Sequence, residues 1–335
     1  MHLRLRLADL AIRWRFKRHA ERPLDVRWVR ERIGRPMWMR RIVTPPVVRA
    51  TMTAGRVPLE LLTPPETTHG GSLERVLLYV HGGGYIACSP ATHRPLAARL
   101  AREWRALAVV PDYALAPEQP FPAGRDDVVA TWRWMLDELQ VDPAQAVWAG
   151  DSAGGGLALA AALASADVGL PMPSAIVGFS PWTDLACTGQ SLQDNAARCA
   201  MFVPAQLEQA ARLYAGSRAI SDPMLSPLQA DLSALPPLCL HASTSELLRD
   251  DALRFADRAR AAGATVECRL WPEMPHVWQF LAGLLPEARE SLDAAGVFVR
   301  HYVRADLART AVVRTRAVEA SHGRRNARAA GVTIP

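Results

Sequence analysis

Ser152 stands in Gly150-Asp151-Ser152-Ala153-Gly154-Gly155, where the apolar run Ala146 to Ala149 meets a stretch of small residues, Gly155 to Ala166. That order predicts a strand, a sharp turn and a helix, with the serine hydroxyl lifted above the end of a sheet. Glycine on both sides makes the turn feasible, because a Cβ there would meet neighbouring backbone. The helix start turns free N–H groups and its dipole on the same spot, which favours an anion. A serine hydroxyl becomes a useful nucleophile when a base takes its proton and a third group holds the base's tautomer. Nine histidines compete for the role of base. His2, His19, His301 and His322 lie in the basic ends, His69 in a turn, His81 before glycines, His93 at a helix start and His241 inside a strand. His276 differs, since Trp271-Pro-Glu-Met-Pro-His-Val-Trp-Gln279 follows the last predicted strand and reaches the sheet edge that carries Ser152.

The acid should follow a strand as well. Leu238 to Ala242 leads into a segment with three carboxylates, Glu246, Asp250 and Asp251. A fourth feature is His81-Gly82-Gly83-Gly84-Tyr85, directly after the apolar run Arg75 to Val80. Three successive glycines cost folding entropy, so they fit best where backbone N–H groups must face a ligand with no side chain between.

The elements that must position these groups alternate along the chain. Strands are predicted at Val57 to Leu62 (an edge strand), Arg75 to Val80, Ala106 to Pro111, Ala146 to Ala149, Ala175 to Phe179, Leu238 to Ala242 and Thr265 to Leu270. Helices are predicted at Ala91 to Trp104, Gly124 to Leu139, Gly155 to Ala166, Pro204 to Tyr214, Leu247 to Ala262 and Ala288 to Tyr302. Such alternation argues a mostly parallel sheet with helices on both faces. Ligands of such sheets bind at the carboxyl ends of the strands, where Ser152 and the glycines both fall.

With 335 residues, 50% of them hydrophobic, one α/β unit with an appendage suits the length. The expected boundaries are an N-terminal helical cap or appendage over 1–50, a catalytic unit over 51–305 and a basic tail over 306–335. Residues 1–50 hold 14 Lys+Arg against 4 Asp+Glu, residues 301–335 hold 7 against 2, and the middle holds 18 against 27. Leu7, Leu10, Ala11 and Trp14 form an apolar stripe on a helix that also carries Arg6, Arg13 and Arg15. The stripe is read as the packed face of an appendage or lid, with contact to a membrane surface as the other reading. No aromatic-basic motif points to nucleic acid, and no nucleic-acid partner is expected. Arginines interrupt the first 18 residues too often for a secretory signal, and the five cysteines are odd in number, widely spaced and without metal-site pairing. A cytoplasmic setting with reduced thiols follows. A homodimer is compatible with the sequence.

Taken together, His81-Gly82-Gly83-Gly84, Asp112 to Glu118, Gly150 to Gly155, Ser180-Pro-Trp-Thr-Asp184, Glu246 to Asp251 and Met274-Pro-His-Val277 resemble the hormone-sensitive-lipase-like (bacterial family IV) esterases of the α/β-hydrolase fold. The resemblance runs from about Leu59 to Tyr302. It implies Ser152 as nucleophile, His276 as general base and Glu246 as the acid, with an oxyanion hole from the N–H groups of Gly82, Gly83, Gly84 and Ala153. It implies that His81 helps hold the glycine loop and that the N-terminal helices cap the acyl pocket. The activity implied is hydrolysis of small acyl esters, short to medium in chain length, through an acyl-enzyme and without metal or cofactor. An acylated amine or a lactone could be cleaved by the same groups, and a non-catalytic ligand-binding relative is the reading from a different class, which the intact serine, acid and histidine argue against. Two departures stand out: the family pattern Tyr-Arg-Leu-Ala-Pro-Glu is Tyr113-Ala-Leu-Ala-Pro-Glu118 here, and the acid, usually Asp, is Glu246.

Overall fold

A computed structural model describes residues 3–17, 23–33, 44–68 and 73–305. The strands are β1 Val48–Ala54, β2 Val57–Thr63, β3 Arg75–Val80, β4 Ala106–Pro111, β5 Ala146–Asp151, β6 Ala175–Phe179, β7 Leu238–Ser243 and β8 Val266–Trp271. Apart from single turns, the helices are α1 Leu3–Arg15, α2 Val26–Ile33, α3 Pro90–Glu103, α4 Ala123–Asp137, α5 Ala153–Asp167, α6 Pro204–Ala215, α7 Arg249–Ala261 and α8 Pro286–Tyr302. The strands form one sheet in the order β1-β2-β4-β3-β5-β6-β7-β8. β1 and β2 pair antiparallel, as do β2 and β4, and every later pair is parallel.

Alternating side chains of the central strands feed two cores, as a sheet covered on both faces requires. Val76, Leu78 and Val80 of β3 join Trp148 of β5, Val128 and Trp132 of α4, Leu157 of α5 and Phe255 of α7. Leu77 and Tyr79 join Val147, Leu96 of α3 and Leu292 and Phe298 of α8 on the opposite face. Two cores back to back hold the sheet rigid, so the loops at its carboxyl edge start from fixed points.

The expected edge strand at 57–62 is not an edge. β1 lies outside it, joined by the two-residue hairpin Gly55-Arg56 with Gly55 at φ 57°. The sheet therefore begins at Val48. β1 was missed because its small and polar residues, Ala50-Thr51-Met52-Thr53-Ala54, bury alternate positions only and offer little apolar signal.

α1 corrects a second expectation. Leu5 and Ala8 are its buried residues, whereas Leu7, Leu10 and Trp14 are 57%, 61% and 63% exposed, so the stripe points away from the body. The inner face packs through Leu5 and Ala8, and polar groups toward the C-terminal end add to that contact. Arg13 donates to the carbonyls of Ala197 and Arg198, and Lys17 Nζ donates to Ala196 O at 2.7 Å and Cys199 O at 2.9 Å. The basic tail expected over 306–335 lies outside the described residues, as do His2, His19, His69 and His322. No described helix is long and apolar enough to cross a membrane.

His241, inside β7, is buried and hydrogen-bonded to Ser291 Oγ at 2.8 Å. Burial, aided by Arg269, pushes its pKa from 6.5 down to about 3. The unfolded chain therefore binds a proton in that window that the folded chain refuses, and acid favours unfolding. Relative to His241→Gln, the native protein should lose about 1.4 kcal/mol of stability per pH unit as pH falls below the ordinary imidazole range. Urea unfolding of both proteins through that range measures it, and parallel profiles would place the proton elsewhere.

Candidate active site

β5 delivers the chain to Ser152 at φ 53° and ψ −126°, and α5 starts at the next residue. A positive φ on a residue with a Cβ costs about 1–3 kcal/mol and persists only where surroundings hold it. Here Ser152 N donates to Phe179 O at 2.8 Å, while Trp182 N and Gly156 N donate to Ser152 O at 2.9 and 3.2 Å. A Cβ on Gly150 would lie 2.5 Å from Gly154 O, so the turn closes only with glycine at that position. The strained serine is thereby bonded to the ends of β6 and the loop after it.

Glu246 follows β7 by three residues and is buried, as is His276 after β8. His276 Nδ1 lies 2.5 Å from Glu246 Oε2. The other carboxylate oxygen accepts from Ser243 N at 2.6 Å and from Ser180 Oγ at 2.9 Å. Val277, held in the left-handed region at φ 50°, donates its N–H to Ser180 Oγ at 3.4 Å. Phe202 sets its edge against the His276 ring, centroids 5.1 Å apart. His276 Nε2 is buried and has no hydrogen-bond partner among the described residues. The structure thus joins His276 to Glu246 and leaves Ser152 Oγ unbonded to either among the described residues. Such contacts commonly tighten only when substrate is bound.

The four expected anion-binding N–H groups divide. Those of Gly83, Gly84 and Ala153 make no hydrogen bond among the described residues. Gly82 departs from the expectation, because its N–H donates to Asp151 Oδ1 at 3.1 Å, inside the core. Asp151 also accepts from Tyr79 Oη at 2.6 Å and lies 3.3 Å from His93 Nε2. Burial opposes its charge, yet His93 and the tyrosine hydroxyl outweigh that and hold the carboxyl below its usual range. Asp151 therefore ties the glycine loop to the residue before Ser152. Sequence reasoning gave it no role, although its place beside the serine and a buried acid's need for partners were available signals. His81 stacks on Tyr113 at 4.3 Å, accepts the Tyr113 hydroxyl on its carbonyl at 2.7 Å and bonds Gly82 O at 2.8 Å through Nδ1. Burial, with His93 beside it, drives its pKa down to about 3, so it stands neutral behind the loop.

Asp250 and Asp251 fall in the first turn of α7, where a carboxylate complements the helix dipole, and each has a further task. Asp250 accepts from Ser191 N at 2.7 Å, and Asp251 Oδ2 accepts from Thr183 N at 2.9 Å and Asp184 N at 2.8 Å. Neither carboxylate is bonded to His276. The loop that lacks an arginine at 114 is anchored from outside: Arg30 of α2 donates to Ile86 O at 2.7 Å and Ala116 O at 3.0 Å, and takes Glu118 by both oxygens at 2.7 Å. Among the described residues no group of three or more His, Cys, Asp or Glu is arranged to hold a metal ion.

The protein-family model described as the alpha/beta hydrolase fold matches residues 77–280, a span that includes Ser152, Glu246 and His276. An acetyl-hydrolase of Streptomyces hygroscopicus is 42% identical over 226 residues, covering 68% of this chain and 75% of that protein. A carboxylesterase/phospholipase, LipF, of Mycobacterium tuberculosis is 34% identical over 283 residues, 82% of this chain and 74% of that one. Among solved structures, an esterase from the bacterial hormone-sensitive lipase family superposes with a TM-score of 0.81 at 35% identity, over 90% of this chain and 99% of that one.

Removing the Asp251 carboxylate leaves two buried N–H groups without an acceptor, at about 1–3 kcal/mol each. Asp251→Ala should therefore cost about 3 kcal/mol of unfolding free energy, read from urea midpoints. A loss below about 1 kcal/mol would return the residue to a mere dipole role.

Proposed function

This chain belongs to the α/β-hydrolase fold family, among its bacterial hormone-sensitive-lipase-like esterases, and on that premise we propose that it cleaves short to medium acyl esters through Ser152, His276 and Glu246. Ser152 Oγ attacks the ester carbonyl as its proton passes to His276 Nε2. Glu246 holds Nδ1–H, which leaves Nε2 as the basic nitrogen and stabilises the imidazolium that forms. The N–H groups of Gly83, Gly84 and Ala153 take the negative charge of the tetrahedral intermediate, at the start of α5 where the dipole adds to them. His276 then gives its proton to the departing alcohol and activates the water that releases the acid. The observation that carries the reading is the buried Glu246–His276 contact with Nε2 left open. The small acyl group named for the Streptomyces relative supports the short end of the range. The setting is read as cytoplasmic, since all five cysteines are free thiols.

An organophosphonate should label Ser152 alone, because only a base-activated hydroxyl reacts near neutral pH. Mass spectrometry that finds the label on Ser180 or Ser245 would sink the assignment. Ser152→Ala should lower kcat on a p-nitrophenyl ester by about 10⁶, as deletion of such a nucleophile does.

Glu246→Gln preserves size and cannot hold the productive tautomer, so kcat should fall by about 10⁴ at matched folded fraction. Near-normal turnover in that variant, with collapse in Asp250→Asn, would reassign the acid. A graded series of acyl esters alongside one anilide separates the esterase reading from amide cleavage.

A further inference from the structure

Eight large apolar side chains are strongly exposed among the described residues, and four of them, Leu3, Leu7, Leu10 and Trp14, lie on α1. At 3.6 residues per turn these four fall within about 60° of arc, a single strip along the helix. The others, Val168, Met224, Leu284 and Val297, are scattered over separate elements. Isolated exposed apolar residues are ordinary, whereas a contiguous strip marks a contact surface.

The charges around the strip say what covers it. Arg4 and Arg6 flank it on opposite sides, are exposed and make no ion pair among the described residues. The one acid of α1, Asp9, is turned toward the body and bound to Arg13 at 2.6 Å. A second copy of the same face would set Arg4 and Arg6 against their own kind. An anionic lipid surface accepts both features, taking the leucines below the headgroups and the arginines among the phosphates, with an indole suited to the boundary. The helix can bear such a load, because it is fixed to the body by Leu5 and Arg13 and, just past its end, by Lys17. We propose that the outer face of α1 docks this protein on the surface of an anionic phospholipid bilayer.

The full-length protein should co-sediment with vesicles of mixed phosphatidylcholine and phosphatidylglycerol, and much less with phosphatidylcholine alone. Leu7→Gln with Leu10→Gln should weaken partitioning more than tenfold, on the order expected for two leucines kept from the bilayer. The same pair changed to isoleucine should keep it. Arg4→Gln with Arg6→Gln should weaken binding to anionic vesicles by about 25-fold, roughly fivefold per arginine, and added salt should mimic that change. Hydrolysis of a water-soluble ester should match the native protein in every variant, which verifies folding and separates this test from that of the reaction. The proposal fails if the native protein stays in the supernatant or if the glutamine pair binds as well as the native chain. It fails too if the native protein is a dimer that the glutamine pair converts to monomer, since the occupant is then a second copy.

Discussion

The carboxylate of Glu246 is the constraint from which the geometry of the site follows. An acid this deeply buried is tolerated only when its oxygens are met by donors, since an unpaired buried charge costs several kcal/mol. Three donors meet it, each from a different loop: Ser243 N from its own turn, Ser180 Oγ from the end of β6, and His276 Nδ1 from beyond β8. Satisfying one charge therefore sets three loops in register. Ser180 extends the arrangement by accepting from Val277 N, and Phe179, just before it, accepts from Ser152 N. The serine and the histidine are thus positioned by neighbouring residues of one strand end even where no bond joins them directly.

Asp151 makes the corresponding connection on the other side of the serine. Its Oδ1 accepts from the N–H of Gly82 and the hydroxyl of Tyr79, so the glycine loop and the serine turn share an anchor in the core. The Gly82 N–H is used for this purpose, while those of Gly83 and Gly84 make no hydrogen bond among the described residues, and the loop is stiffened by the bond to Asp151. Strain gathers along this edge: Tyr85, Cys88, Ser152, Ser180, Glu273 and Val277 all have positive φ. A β-branched residue such as Val277 in that region is an outlier, and the hydrogen bonds around it account for its persistence.

Much of this was legible in the residues. Continuous apolar runs named the central strands, and glycine placement named the turn at Ser152. The rule that ligands meet the carboxyl ends of parallel strands selected His276 from nine candidates. What stayed hidden depends on which way a side chain faces. The period of α1 gives two apolar strips, one through Leu5 and Ala8 and one through Leu7, Leu10 and Trp14, and only packing decides which is buried. Asp250 and Asp251 looked equivalent in a first helical turn, yet one is lodged wholly in the core and bridges two backbone groups of another loop. β1 escaped because its burial is intermittent and its partner lies across a two-residue turn.

The N-terminal segment is tied most directly to the site through Arg30. A guanidinium offers five donors in a plane, which matches a carboxylate on one side and carbonyls on the other. Arg30 takes both oxygens of Glu118, drawing that carboxyl down to about 2, and reaches Ile86 O and Ala116 O as well. Ile86 in turn donates to Gly83 O at 3.2 Å. The position that the family pattern fills with arginine, 114, is alanine in this chain, and the charge that fixes the loop arrives from α2 instead. An N-terminal segment joined in this manner is built into the loop that carries Gly83 and Gly84. Displacing α2 from the body would strip donors from two carbonyls and a carboxylate around that loop, so the position of α2 and the conformation of the glycine loop are physically linked.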